Sequence, residues 1–170
     1  MKNKSIDLIG FMGVGKSMVS KRLGEVLKRK VVSTDRLIEE KEGASIERIF
    51  EEKGEAYFRR LEKSVLDDVF KNSKVILDCG GGIVLNPKNL EFLKKKTVLI
   101  CLAASADFIY QMVKQQRNRP LLNVEDPRKA IRDLLKKRRP LYAQAHFTIS
   151  TEHKTADQIV EEVLKIISDE

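Results

Sequence analysis

Gly10-Phe11-Met12-Gly13-Val14-Gly15-Lys16-Ser17 has the spacing of a phosphate-binding loop. Glycines in such a run let successive backbone N–H groups turn inward around an anion, and the helix that follows adds partial positive charge at its N-terminus. Lys16 is placed to reach the β- and γ-phosphates of a nucleotide, and Ser17 to ligate Mg2+. Gly13, Val14, Gly15 and Met18 complete the expected nucleotide contacts. The chain has no guanine-reading Asn-Lys-x-Asp run, which favours ATP.

Phosphoryl transfer also needs an acceptor held in line with the γ-phosphate and a group to take its proton. Three segments offer candidates: Asp35 after a second apolar run, Arg59 early in a long helical pattern, and Gly80-Gly81-Gly82 at the end of a third run. In a parallel sheet the C-terminal strand ends converge on the ligand crevice, so Asp35 and the three glycines are expected beside the phosphate loop. Asp78 ends the run Val75-Ile76-Leu77. A carboxylate there is costly without a cation or donors, and a strand-end aspartate commonly helps to hold magnesium, so Asp78 is the second candidate metal ligand.

The elements that would position these residues follow from periodicity. Ser5 to Ile9, Lys30 to Ser33, Val75 to Cys79, Thr97 to Leu102 and Phe147 to Ser150 read as strands. Helical stripes lie between them at Val19, Leu23, Val26 and Leu27, at Phe58, Leu61, Val65, Leu66 and Val69, and at Ile131, Leu134 and Leu135. This alternation predicts an α/β fold, a three-layer sandwich around a five-stranded parallel sheet. Asn86 before Pro87, Asp126 before Pro127, and the pair Thr155 and Gln158 suit helix starts. Gln115 to Asp126 lacks a sustained period and reads as a mobile loop.

With 170 residues the chain reads as one domain, residues 1–170. Its net charge of +8 is spread in short basic groups alternating with acidic stretches, which suits solvated helix faces. No aromatic signature of RNA binding accompanies it, so no nucleic-acid partner is expected. Cys79 and Cys101 are far apart and fit reduced, buried thiols. Neither a leader segment nor a membrane span is read, so a cytoplasmic protein without membrane association, acting as a monomer, is expected. His146 and His153 read as surface residues.

Taken together, the phosphate loop, Thr34-Asp35-x-x-Ile38-Glu39, Gly54-Glu55-x-x-Phe58-Arg59-x-x-Glu62, Gly80-Gly81-Gly82, Arg119-Pro120-Leu121-Leu122 and Arg138-x-Pro140-Leu141-Tyr142 resemble the shikimate kinases, small relatives of the nucleoside monophosphate kinases. The resemblance spans nearly the whole chain. It implies ATP- and Mg2+-dependent phosphorylation of the 3-hydroxyl of shikimate, a substrate-binding region at about 34–62 and a lid at about 113–126. It also implies that Asp35 orients or deprotonates the acceptor, that Arg59 and Arg138 grip its carboxylate, and that Gly80, Gly81 and Gly82 border both substrates. Arg119 becomes the lid arginine, and Lys154 falls in the adenine-contacting turn. Two positions depart from the family pattern: Ser33 stands where an acidic residue is usual, and Met112 where an arginine commonly covers adenine. Asp78 is expected to supply the carboxylate that Ser33 lacks.

The residues alone also admit plainer roles. Asp35 could cap a helix, Arg59 and Arg138 could be exposed helix-face arginines, and Glu62 could be an ordinary i, i+3 partner of Arg59. Two other functions stay open at this stage: a related small-molecule kinase acting on gluconate or a nucleotide, and an impaired ATP-binding switch protein.

Overall fold

The computed structural model describes residues 4–70, 74–114, 120–122 and 124–168. Five strands, β1 (Ser5–Ile9), β2 (Val31–Ser33), β3 (Ile76–Asp78), β4 (Thr97–Ala103) and β5 (Phe147–Ser150), form one parallel sheet in the order β2-β3-β1-β4-β5. The strand expectations hold to within two residues at each end; Val75 and Cys79 flank β3 rather than belonging to it.

Among the described residues, seven α-helices connect and cover the sheet: α1 (Lys16–Leu27), α2 (Thr34–Glu42), α3 (Ile46–Val69), α4 (Pro87–Lys96), α5 (Ala106–Val113), α6 (Pro127–Tyr142) and α7 (Ala156–Ser168). The chain leaves β1 in one direction along the sheet and leaves β3 in the other. Right-handed crossovers therefore put α1 and α4 on opposite faces. α7 packs beside α1, while the Phe70 and Phe92 rings meet edge-on at 5.3 Å and join the end of α3 to α4. Both faces of the sheet are thus covered at its centre, which explains why β1, β3 and all but the last residue of β4 are buried without alternation, while the edge strands β2 and β5 are only partly buried.

Local chemistry sets the boundaries. Asn86 and Asp126 cap α4 and α6, each with proline at the first helical position, and Thr155 and Gln158 exchange both bonds of a capping box. α3 is broken at Gly54, whose φ of 75° and ψ of 170° restart the helix at Glu55, one turn before Arg59. A small apolar cluster of Ile38, Ile49, Phe58, Leu61 and Val65 ties α2 to α3, apart from the main core around the sheet. Between Gln115 and Asp126, Pro120–Leu122 form a single 3-10 turn, so that segment is not wholly irregular. Arg119, the expected lid arginine, lies outside the described residues.

Candidate active site

The phosphate loop runs from the end of β1 to the first turn of α1. Gly10, Gly13 and Gly15 have φ of 143°, 80° and 90°, a region that side chains rarely allow. At Gly10 a Cβ would also run into the Leu102 carbonyl of β4, and at Gly13 into Val113 of α5 at 2.5 Å. Phe11 and Val14 are buried and anchor the loop from beneath. The Lys16 ammonium lies inside the loop and donates to the carbonyls of Gly10 at 3.0 Å and Phe11 at 3.1 Å. Ser17 and Met18 face outward on the first turn of α1.

The three glycines after β3 are where the parts of the site converge. Gly80 donates its N–H to the Thr34 hydroxyl at 3.1 Å, and a Cβ on it would press into the Asp35 carboxylate. A Cβ on Gly81 would sit 3.2 Å from the Gly10 carbonyl oxygen, and one on Gly82 would be 2.6 Å from Nη2 of Arg59. Asp35, the phosphate loop and Arg59 therefore all approach the same three residues, and a side chain at Gly80 or Gly82 would displace the Asp35 carboxylate or the Arg59 guanidinium.

Arg59 is held by two carboxylates of its own helix, Glu55 at 2.8 Å and Glu62 at 2.8 Å. Glu62 is fully buried, and burial raises its pKa to about 7 against the pull of Arg59, with Asp35 and Glu55 reinforcing the rise. Arg138 comes from α6 and is 4% exposed, so it is no surface arginine. Its guanidinium lies 5.5 Å from the Phe11 ring centroid and donates to the Gly81 carbonyl at 3.3 Å, and it has no carboxylate partner among the described residues. Tyr142, one turn further on, donates to the same carbonyl at 2.6 Å. Burial pushes its phenol up to about 12, so it remains a donor across the physiological range. Asp35, Arg59, Glu62, Gly80, Gly81, Gly82 and Arg138 line one cavity of about 300 Å³, closed by Met12, Phe50, Phe58 and Leu121.

Asp35 is not a helix cap. Ser33 takes that role, its hydroxyl accepting the Arg36 N–H, which leaves the Asp35 side chain to the cavity. Ser33 and Asp78 are register partners across β2 and β3, and Asp78 also pairs with Leu8 of β1. Val31, two residues before Ser33, packs against Gly24 of α1. Side chains alternate along a strand, so Ser33 and Asp78 both point to the α1 face. Asp78 is 8% exposed, and its carboxylate has no hydrogen bond or ion pair among the described residues. Met112 stands over Gly13, whereas the Lys154 ammonium pairs with Glu162 of α7 at 2.7 Å and is not directed at the loop by any contact described.

Sequence reasoning did not select Tyr142, Phe58 or Met12 as site residues. Tyr142 closes the run Arg138-x-Pro140-Leu141-Tyr142 without a role of its own until the fold brings it to Gly81, and the signal was its place one helical turn after Arg138.

A parallel sheet in this order, with a phosphate loop after its central strand and a polar cavity at the strand ends, defines a P-loop kinase of the α/β class. The model of the family described as shikimate kinase matches residues 12–168. A shikimate kinase of Dehalococcoides mccartyi is 48% identical over 165 residues, covering 96% of this chain and 93% of that protein. One of Caldanaerobacter subterraneus is 42% identical over 162 residues, covering 95% of each. The structure of the Acinetobacter baumannii shikimate kinase in complex with shikimate superposes with a TM-score of 0.94 at 39% identity, covering 98% of this chain and 94% of that one. A gluconokinase of Sinorhizobium meliloti, with a TM-score of 0.61 and 13% identity, shares the fold alone. The chain belongs to the shikimate kinase family.

Proposed function

We propose that this protein transfers the γ-phosphoryl group of ATP to the 3-hydroxyl of shikimate, in one in-line step without a covalent enzyme intermediate. The observation that carries the reading is that Arg59 and Arg138, the latter buried and without a carboxylate partner among the described residues, line one cavity of about 300 Å³ together with Asp35. A buried guanidinium with no acidic partner is costly, and a planar carboxylate from a small acid offsets that cost in the geometry arginine prefers. The same cavity is small for a nucleoside monophosphate.

In this reading Arg59, braced by Glu55 and Glu62, and Arg138 hold the carboxylate and so fix the ring. Asp35 accepts the hydrogen bond of the attacking hydroxyl and takes its proton as the oxygen bonds to the γ-phosphorus and the bond to the β–γ bridging oxygen breaks. Lys16 exchanges the carbonyls of Gly10 and Phe11 for phosphate oxygens and offsets charge on the transferring group. Arg119 does the same from the lid, the segment at about 113–126, and Met112 packs on adenine with the Lys154 turn nearby.

The residues present fit a magnesium ion. Asp78, nearly buried and unpaired among the described residues on the α1 face, together with the exposed Ser17 hydroxyl, would hold it, directly or through its waters. Magnesium, when bound, neutralises charge on the β- and γ-phosphates.

An ADP-release assay with shikimate, gluconate and nucleoside monophosphates as acceptors tests the proposal. Release dependent on shikimate is expected; release driven by another acceptor, with none for shikimate, contradicts it.

A further inference from the structure

A second cavity, of about 850 Å³, lies on the opposite side of α6 from the shikimate cavity and shares no lining residue with it. Its floor is the registered pair Cys101 and Thr148 on β4 and β5, and the small side chains of Ala103 and Ala106 keep it open. At its inner end it reaches Phe11, on the back of the phosphate loop. Its rim is Arg132, Lys136 and Arg139, which follow one another at four and three residues and so form one stripe along α6. None of the three has an ion-pair partner among the described residues, and no carboxylate lines the cavity.

A largely apolar lining beneath three cations that have no ion-pair partner among the described residues calls for a ligand with an apolar body and an anionic head. Two arginines in the stripe favour a planar oxyanion such as a carboxylate over a compact point charge. The volume is that of a small-molecule site. A nucleotide fits less well, because the floor offers neither a glycine-rich run of inward N–H groups nor a helix start free of its own cap: the Ser105 hydroxyl already accepts from Phe108 at the start of α5.

We propose that this cavity is a second ligand site, for a small organic acid with an apolar, ring-like body, and that its occupancy is felt at the shikimate cavity. Tyr142 is the connection. Tyr142 lines the second cavity, and its hydroxyl holds the Gly81 carbonyl, which Arg138 also contacts. A ligand packed against Tyr142 and Phe11 thus bears on Gly81 and Arg138 together, the two groups that border the carboxylate end of the proposed shikimate site. The coupling rests on the function proposed above; the binding does not.

The test uses 8-anilinonaphthalene-1-sulfonate, an aromatic anion whose fluorescence rises in apolar sites, added to the full chain saturated with MgADP and shikimate. Saturable binding is expected to persist, to weaken about tenfold or more in the triple variant Arg132→Gln, Lys136→Gln, Arg139→Gln, and to weaken likewise in Thr148→Trp, which fills the floor. The neutral analogue N-phenyl-1-naphthylamine should bind the unmodified chain about tenfold more weakly than the sulfonate. Displacement by MgADP or shikimate, or equal binding to the triple variant at unchanged thermal stability, overturns the site. In turnover, saturating sulfonate should shift the shikimate KM about threefold or more in the unmodified protein and not in the triple variant. An unchanged KM with the site occupied overturns the coupling and leaves the function proposed for the other cavity untouched.

Discussion

Ser33 and Asp78 face each other across β2 and β3, directly in register and on the sheet face that α1 covers. Ser33 spends its hydroxyl on capping α2, while Asp78, the carboxylate of the pair, has no hydrogen bond or ion pair among the described residues. The acidic function that the family usually keeps at the end of β2 has, on this reading, moved one strand inward. Asp78→Asn should raise the magnesium concentration needed for half-maximal ADP binding by about tenfold, measured by calorimetry, and adding Ser33→Asp should recover part of the loss. A magnesium titration that overlays the unmodified protein would remove Asp78 from the metal site.

Arg138 separates the carboxylate-clamp account from a purely structural one. Because its charge is buried without an acidic partner among the described residues, Arg138→Ala should cost little stability yet raise the shikimate KM about 100-fold, within the roughly 2–5 kcal/mol typical of truncating one side of a buried charged contact. ATP affinity should change by less than about twofold. Equal losses for both substrates would contradict the assignment.

Gly82 makes room for Arg59 rather than serving flexibility. Gly82→Ala should push the guanidinium off its position and raise the shikimate KM by about tenfold with kcat less affected, whereas Gly43→Ala, at an open turn, should leave KM unchanged. Unchanged kinetics in Gly82→Ala would show that the guanidinium is not held where the glycine leaves space.

Asp7 sits fully buried in the central strand, with no sound hydrogen bond to either oxygen. Burial raises its pKa from 3.8 to about 7; a weak contact from the Cys79 thiol opposes the rise, Asp78 adds to it and Lys16 opposes it. The folded chain therefore keeps a proton that the unfolded chain has released between about pH 4 and pH 7. Stability must fall as pH rises through that window, by up to roughly 4 kcal/mol from this group. Asp7→Val should flatten the decline and raise Tm most above pH 7, with Glu62 leaving a residual slope in the same direction. A variant less stable than the unmodified chain at pH 8 would contradict this.

Much of this was legible in the sequence where chemistry is local. The phosphate loop, the caps at Asn86, Asp126 and Thr155, and the five strands depend on neighbouring residues, and each is found where spacing put it. What depends on tertiary approach was not. Asp35 and Ser33 are both plausible caps two residues apart, and only the backbone decides that Ser33 takes the role. Arg138 has the sequence surroundings of a solvated basic helix, and its burial follows from α6 lying over Phe11 and Gly81. Asp7 stands between Ile6 and Leu8 in the first strand, and only the helices on both faces of the sheet show that it has no water. The glycines at 80, 81 and 82 signal a tight turn, and which three groups lie against them emerges only when β3, α2, α3 and the phosphate loop meet.

Phosphorus NMR of the products reads both the identity of the acceptor and its reacting oxygen. With ATP, magnesium and shikimate the account predicts one new phosphate monoester, coupled to the proton on C3 of shikimate and formed in equal amount with ADP. Absence of that ester, or an ester on another hydroxyl or formed instead on gluconate or a nucleoside monophosphate, would contradict it.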